Sequence, residues 1–340
     1  MNAGTARLSL RTPYLIFIGN QSDPTYAKTG LGLVQWCGDR VAGQLRFGEK
    51  PVDLGVPDLT LEAAVALGAR SLVIGVAPVG GVIPGDWWDI IRQGAELGLD
   101  IVSGLHGRLA TVPGLADAAQ RGGGRLVDIR VPPANIPVGT GRKRSGQRVL
   151  MLGTDCAVGK KYSALALAAS LQALGVKATF RATGQTGILI AGEGMPIDAV
   201  VADFVSGAAE LLSPDNDPAH WDVIEGQGSL FHPGYAAVTL GLLHGSQPDA
   251  IVICHDATRR VVSGWPDYVL PTLAECRDLG LTLGRRTNPA IRCVGFSINT
   301  SRLPAGERAG YLRQVEEETG LPCVDPIATG CEAIARRLIE

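Results

Sequence analysis

"RVLMLGTDCAVGKKYSALALAASLQALG", residues 148–175, runs a short apolar segment into a glycine turn and then into an alanine- and leucine-rich segment closed by Gly175. Strand, glycine turn and helix in that order make a phosphate-binding loop. The glycines let the backbone approach a ligand, consecutive N–H groups form an anion nest, and the helix N-terminus adds the positive end of its dipole. Within "LGTDCAVGKKYSAL", residues 152–165, the expected ligand-binding residues are Gly153, Thr154, Cys156, Ala157, Val158, Gly159, Lys160, Lys161 and Tyr162. Nucleotide-hydrolysing loops keep a Ser or Thr after the lysine to hold magnesium. Here that residue is Lys161, which cannot coordinate Mg²⁺ and would repel it. Tyr162 offers only a phenol, and Ser163 lies too far into the helix to stand in. The expected ligand is therefore one whose phosphates are bound and never transferred. Coenzyme A is such a ligand, and no metal is expected.

Working outward, apolar runs bounded by turn residues alternate with helix-length segments along the whole chain, the pattern of parallel βα units and an α/β fold. In the first part the spacing predicts strands at Tyr14–Ile18, Ser71–Ala77, Asp100–Ser103 and Arg125–Arg130, with helices in "TLEAAVALGAR" and "DWWDIIRQGAELGLD". This reads as a Rossmann-like domain over residues 1–140. The stretch "VPPANIPVGTGRKRSGQR", residues 131–148, mixes prolines, glycines and basic residues without apolar periodicity and marks the boundary. A P-loop domain over 141–340 follows. Its expected strands are Val149–Leu152, Val176–Arg181, Asp222–Ile224, Ala250–Cys254, Arg292–Ile298 and Pro322–Val324. Its expected helices are Lys160–Leu174, Ile197–Leu212, Tyr235–Leu243, Ala305–Thr319 and Cys331–Ile339.

At 340 residues the chain exceeds the usual size of a single core, in keeping with two domains. A net charge of −2 argues against nucleic acid or an anionic membrane as the main partner and leaves small molecules as the expected ligands. Seven scattered cysteines without a CxxC pair fit neither a disulfide framework nor a zinc site. The only apolar run near the N-terminus, Tyr14–Ile18, is too brief for a signal-peptide core. No run approaches a membrane span. A soluble cytoplasmic homo-oligomer is expected.

Five residues separate Gly153 from Gly159, and "GTDCAVGK" resembles the loop of dethiobiotin synthetase and its relatives. "VIEGQGS", residues 223–229, resembles that group's strand-ending "VEGAGG", and "VGFSINT", residues 294–300, its late strand ending in Asn. Over nearly the whole chain, "GTDCAVGKKYSAL", "ATGQTGILIAGEGMPIDAVVADFVSGAAE", "EGQGSLFHPGY" and "DAIVICHDATR" after a Rossmann-like domain resemble one P-loop family. That family, long catalogued as of unknown function, includes D-glutamate N-acetyltransferases. The resemblance implies transfer of an acetyl group from acetyl-CoA, as cosubstrate, to the amine of D-glutamate in D-amino-acid catabolism. The main alternative is a Mg-ATP-dependent ligase or carboxylating enzyme similar to dethiobiotin synthetase, against which the missing hydroxyl after Lys160 speaks. A nucleotide-binding switch or metallochaperone is a third reading, without a His/Cys-rich tract to support it.

Acetyl transfer needs a bound donor, a positioned amine, a proton acceptor and stabilisation of the oxyanion. "EGQGSLFHPGY" follows an expected strand, so Glu225 and His232 are the candidate bases. The bland alternatives are a carboxylate that ties loop backbone together and a histidine that serves only its turn. In "CHDATRR", residues 254–260, Arg259 is the expected grip on a substrate carboxylate, against a plain surface charge run. Asp155 is expected to orient the incoming amine or cap the helix. Gln185 and Thr186, in a polar turn, are expected to donate to substrate or to the oxyanion, against a simple connecting turn, and Asp203 to lie near the site. Direct attack by the amine makes a covalent acetyl group on Cys156 unnecessary.

Overall fold

The apolar runs do form parallel strands, and they sort into two separate sheets. The computed structural model describes residues 8–340, which make two compact units. One holds the chain to Pro132 together with Gln185–Ala199; the other holds Pro133–Gly184 and Val200–Glu340. The chain thus changes unit at Pro132/Pro133, some eight residues before the position expected from composition, and residues 185–199 return to the first unit.

The first unit carries β1 (Tyr14–Gly19), β2 (Val41–Arg46), β3 (Ser71–Ile74), β4 (Asp100–Ser103) and β5 (Leu126–Asp128). They pair in the order β2-β1-β3-β4-β5, all parallel. This is the doubly wound, Rossmann-like arrangement. Helices α1 (Lys28–Cys37), α2 (Leu61–Ala66), α3 (Trp87–Glu96) and α4 (Leu115–Gly122) connect them. β1, β3 and β4 are buried along their whole length, as strands covered on both faces must be. β2 has a weaker apolar pattern, "VAGQLR", which is why periodicity passes over it.

In the second unit β6 (Gln147–Gly153) enters the glycine loop and α5 (Lys160–Ala173) leaves it, followed by β7 (Ala178–Arg181). The chain then forms α6 (Gln185–Ala191) in the first unit, where a turn is expected from the glycines of "ATGQTGIL". Burial of Ile188 and Leu189 outweighs the weak helix propensity of that segment. The expected helix Ile197–Leu212 is broken into two 3₁₀ turns, Ile197–Ala199 and Ala202–Phe204, and then α7 (Val205–Leu212), because the chain passes between units at Ala199/Val200. Beyond it come β8 (Trp221–Ile224), α8 (Ala236–Ser246), β9 (Ala250–Asp256), the hairpin β10 (Val261–Val262) and β11 (Trp265–Val269), and α9 (Leu273–Gly284). β12 (Arg292–Asn299), α10 (Ala305–Thr319), β13 (Cys323–Val324) and α11 (Glu332–Ile339) complete the unit. Its sheet runs β13-β12-β9-β6-β8-β7, all parallel.

The basic boundary segment is interior scaffolding. Arg148 is fully buried, and its guanidinium donates to the carbonyls of Arg144, Ser145, Gly146, Ser213 and Pro214. Arg144, pushed down to about 10 by burial, donates to Ser213, Gly245 and Ser246 carbonyls. Among the described residues no helix is long and apolar enough to cross a membrane, and the cysteines form no disulfide.

Candidate active site

The strand order β9-β6-β8 sets three loops side by side at the carboxyl edge of the second sheet, where α/β proteins place ligands. They are the glycine loop after β6, "EGQGSLFHPGY" after β8 and "ATRR" after β9.

The glycine loop has the conformation that its letters predict. Gly159, at φ +104° immediately before α5, adopts a backbone state closed to most L-residues, and Ala157 also sits in the left-handed region at φ +51°. Val158 packs beneath the loop, 1% exposed. The Lys160 ammonium donates to the Asp155 carbonyl across the turn at 2.7 Å. Gly226 makes that placement possible. A Cβ there would stand 1.6 Å from the Met151 carbonyl oxygen and 2.9 Å from Cδ of Lys160. Thr154 extends the ladder by donating its N–H to the Cys254 carbonyl, and its hydroxyl pairs with Nδ1 of His255 at 2.8 Å. Lys161 lies over the Tyr162 ring, 4.4 Å from its centroid. Burial raises the Tyr162 phenol above its ordinary range. The Ser163 hydroxyl turns into the core, donating to the Gly159 carbonyl and pairing with Ser297.

Asp155 and Arg259 do work that their sequence positions conceal. Asp155 is fully buried: Oδ1 accepts from the Cys156 N–H, and Oδ2 from Arg259 Nη1 (2.8 Å) and the Ser263 N–H (2.9 Å). Arg259 also donates to the carbonyls of Cys156 (2.6 Å) and Ala157 (3.4 Å). Both expected roles give way here. The arginine fork is spent on the loop itself, and Asp155 neither caps α5 nor faces an open site. The Ser263 contact comes from the β10–β11 hairpin, missed in the sequence although "VVSGW" carries the Ser-Gly hairpin signal.

Glu225 closes the loop after β7. Its Oε2 accepts from the N–H groups of Thr183 (2.8 Å) and Gly184 (3.0 Å), while the Thr183 hydroxyl donates back to the Glu225 carbonyl. This is the backbone-tying role weighed against a base. His232 is 2% exposed, clamped between Tyr235 and Trp265 with ring centroids 4.5 and 4.6 Å away. Nδ1 accepts from the Gly234 N–H at 3.0 Å, and Nε2 faces Asp155 Oδ1 at 3.9 Å. Burial lowers the pKa of His232, as it does for His255, which falls to about 4.

Gln185 and Thr186 lie in the first unit, bonded within it. With its amide oriented to satisfy both neighbours, Gln185 donates to the Gly104 carbonyl (2.6 Å) and accepts from Arg130 (3.2 Å). The Thr186 hydroxyl pairs with Thr29 at 3.0 Å. Asp198 pairs with Arg130 at 2.6 Å in the same unit, whereas Asp203 is exposed on a turn of the other. Within the second unit the structure gathers the glycine loop, Glu225, His232 and Arg259; Gln185 and Thr186 make their side-chain bonds within the first unit, and Asp203 is exposed.

The P-loop domain described as a domain of unknown function, DUF1611_C, matches residues 137–335, and the Rossmann-like domain DUF1611_N matches 47–132. A protein of Tritonibacter scottomollicae named D-glutamate N-acetyltransferase is 49% identical over 97% of this chain and 98% of its own length. One of the same name from a Pseudoalteromonas species is 42% identical, over 97% and 100%. The crystal structure of a DUF1611 family protein from Anabaena variabilis is 32% identical, covers 97% of this chain and 99% of its own, and superposes with a TM-score of 0.87. With both domains matched and full-length relatives this close, the chain belongs to the DUF1611 family of Rossmann-like and P-loop proteins, the family of the D-glutamate N-acetyltransferases.

Proposed function

We propose that the protein is a D-glutamate N-acetyltransferase that uses acetyl-CoA and needs no metal. The observation that carries the reading is near full-length identity of 49% and 42% to proteins of that name. The chemistry of the loop supports the donor: an anion nest with Lys160 and Lys161, and no hydroxyl for magnesium, suits phosphates that anchor a carrier. In this mechanism the nest and the two lysines hold CoA phosphates. The free amine of D-glutamate attacks the thioester carbonyl, the tetrahedral intermediate collapses, and the departing thiolate takes up the proton released by the nitrogen.

The two candidate bases named from the sequence are both engaged. Oε2 of Glu225 already accepts two N–H bonds, and His255 and His232 are held neutral, burial depressing both. Substrate amine deprotonated in solution is then the reactive form, so kcat/KM should rise with pH about tenfold per unit until the amine's own pKa is reached. The test follows thiol release from acetyl-CoA with D- and L-glutamate across this range, beside thermal shifts with acetyl-CoA and with Mg-ATP. Thiol release selective for D-glutamate, with stabilisation by acetyl-CoA alone, is expected. Stabilisation by Mg-ATP alone and no thiol release would overturn the assignment.

A further inference from the structure

His232 is the buried polar group that the mechanism above leaves without a task. Its Nδ1 lone pair is taken by the Gly234 N–H, so the neutral ring carries its proton on Nε2. That Nε2 is buried and has no hydrogen-bond partner among the described residues. Its closest carboxylate oxygen, Asp155 Oδ1 at 3.9 Å, is beyond hydrogen-bond reach and already accepts the Cys156 N–H. The ring cannot turn away, because Tyr235 and Trp265 pack against it. A donor locked beside a glycine loop of phosphate-binding form thus lacks an acceptor among the described residues.

We propose that His232 is a ligand of the phosphoryl group held by the Gly153–Gly159 loop, donating from Nε2 as a neutral imidazole, and is neither a proton acceptor nor a metal ligand. This rests on the reading that the loop holds phosphate. The rival cluster is real: a nitrogen of His232, a carboxylate oxygen of Asp155 and the Cys156 sulfur lie within 4.8 Å of one another, a donor set that suits zinc. Two features oppose an ion there. Coordination through Nε2 requires Nδ1 to carry the proton, whereas Nδ1 faces the Gly234 N–H; and Asp155 already bears the Arg259 guanidinium. The same tautomer opposes a base, since Nε2 has no lone pair to offer and Nδ1 is occupied. A neutral donor adds a bond to phosphate without a second counter-charge beside Arg259 and Lys160.

The probe is inorganic pyrophosphate, titrated calorimetrically into the full-length protein and its His232→Ala and His232→Gln variants, with metal content measured on each. Hydrogen bonds to charged groups predict a loss of affinity on the order of 10- to 100-fold in His232→Ala. His232→Gln, whose amide can donate from a similar position, should recover much of it. ¹⁵N NMR of the His232 ring reads the tautomer independently of any variant's folding, and should show the proton on Nε2, shifting when pyrophosphate binds. Unchanged pyrophosphate affinity in a folded His232→Ala, a proton on Nδ1, or bound metal lost with His232 would each overturn the proposal. Failure of the wild-type protein to bind either pyrophosphate or acetyl-CoA would instead remove the phosphate reading of the loop.

Discussion

Replacing Arg259 by Ala should unfold the glycine loop's support before it affects recognition of the amino acid. Arg259 contributes three bonds to the loop, to Asp155 Oδ2 and the carbonyls of Cys156 and Ala157, and Asp155 is fully buried. Breaking a buried ion pair from one side costs about 3–5 kcal/mol, because a charge stays behind without its partner. Asp155 keeps the N–H bonds of Cys156 and Ser263, which puts the cost near the lower limit, about 3 kcal/mol. For a unit of this size that is a fall in melting temperature of roughly 6–12 °C. Affinity for acetyl-CoA should weaken with it, as the nest loses its shape. Arg259→Lys keeps the charge but loses the fork and should fall between. Adding Asp155→Asn to Arg259→Ala should restore part of the stability, since it removes the stranded charge while the amide oxygen still accepts one of the two N–H bonds, that of Cys156 or that of Ser263. Thermal unfolding and calorimetry, with steady-state KM for both substrates, separate the cases. A melting temperature within about 1 °C of wild type, with only the KM for D-glutamate raised tenfold or more, would refute the reasoning and return Arg259 to the substrate.

Two other outcomes follow from the same neighbourhood. Burial holds His255 at about 4, whereas an unfolded histidine takes up its proton near 6.5. Stability from this group is therefore full above about pH 6.5 and declines as pH falls toward 4, by up to about 3 kcal/mol, a slope that denaturant titrations should find reduced in His255→Gln. Gly226→Ala would press a methyl group against the Met151 carbonyl and the Lys160 side chain; a loss of about 3 kcal/mol and weaker pyrophosphate binding are expected, and a wild-type melting curve would contradict the geometry.

How far the sequence spoke for the molecule depended on whether each signal was local. β6, the turn and α5 were legible because a buried strand, two glycines and an alanine-rich helix follow one another within 28 residues. The α10 boundaries, Ala305–Thr319, likewise follow from Pro304 before the helix and Gly320 after it. The roles of Arg259 and Asp155 were not legible, since their bond spans 104 positions and an arginine beside a strand end reads the same whether it holds a ligand or a loop. Gln185 misled for a related reason. Its glycine-rich surroundings describe a turn in any sequence, but its partners, Gly104 and Arg130, lie 81 and 55 positions earlier in the chain, in the first unit to which Gln185 itself returns. The two letters that decided the chemistry, Lys160 and Lys161, were adjacent, and adjacency is what a sequence records best.

The return of residues 185–199 to the first unit has a consequence for how the protein is made. A ribosome releasing about 5–20 residues per second emits the first unit's main segment, ending at Pro132, roughly 3–13 s before the chain reaches Ala199. Throughout that interval α6 has yet to cover its share of the first unit, and β6 and the glycine loop are already emerging behind it. Neither half can be finished alone and then joined, so an exchange of modules between relatives would have to carry both portions of the first unit together.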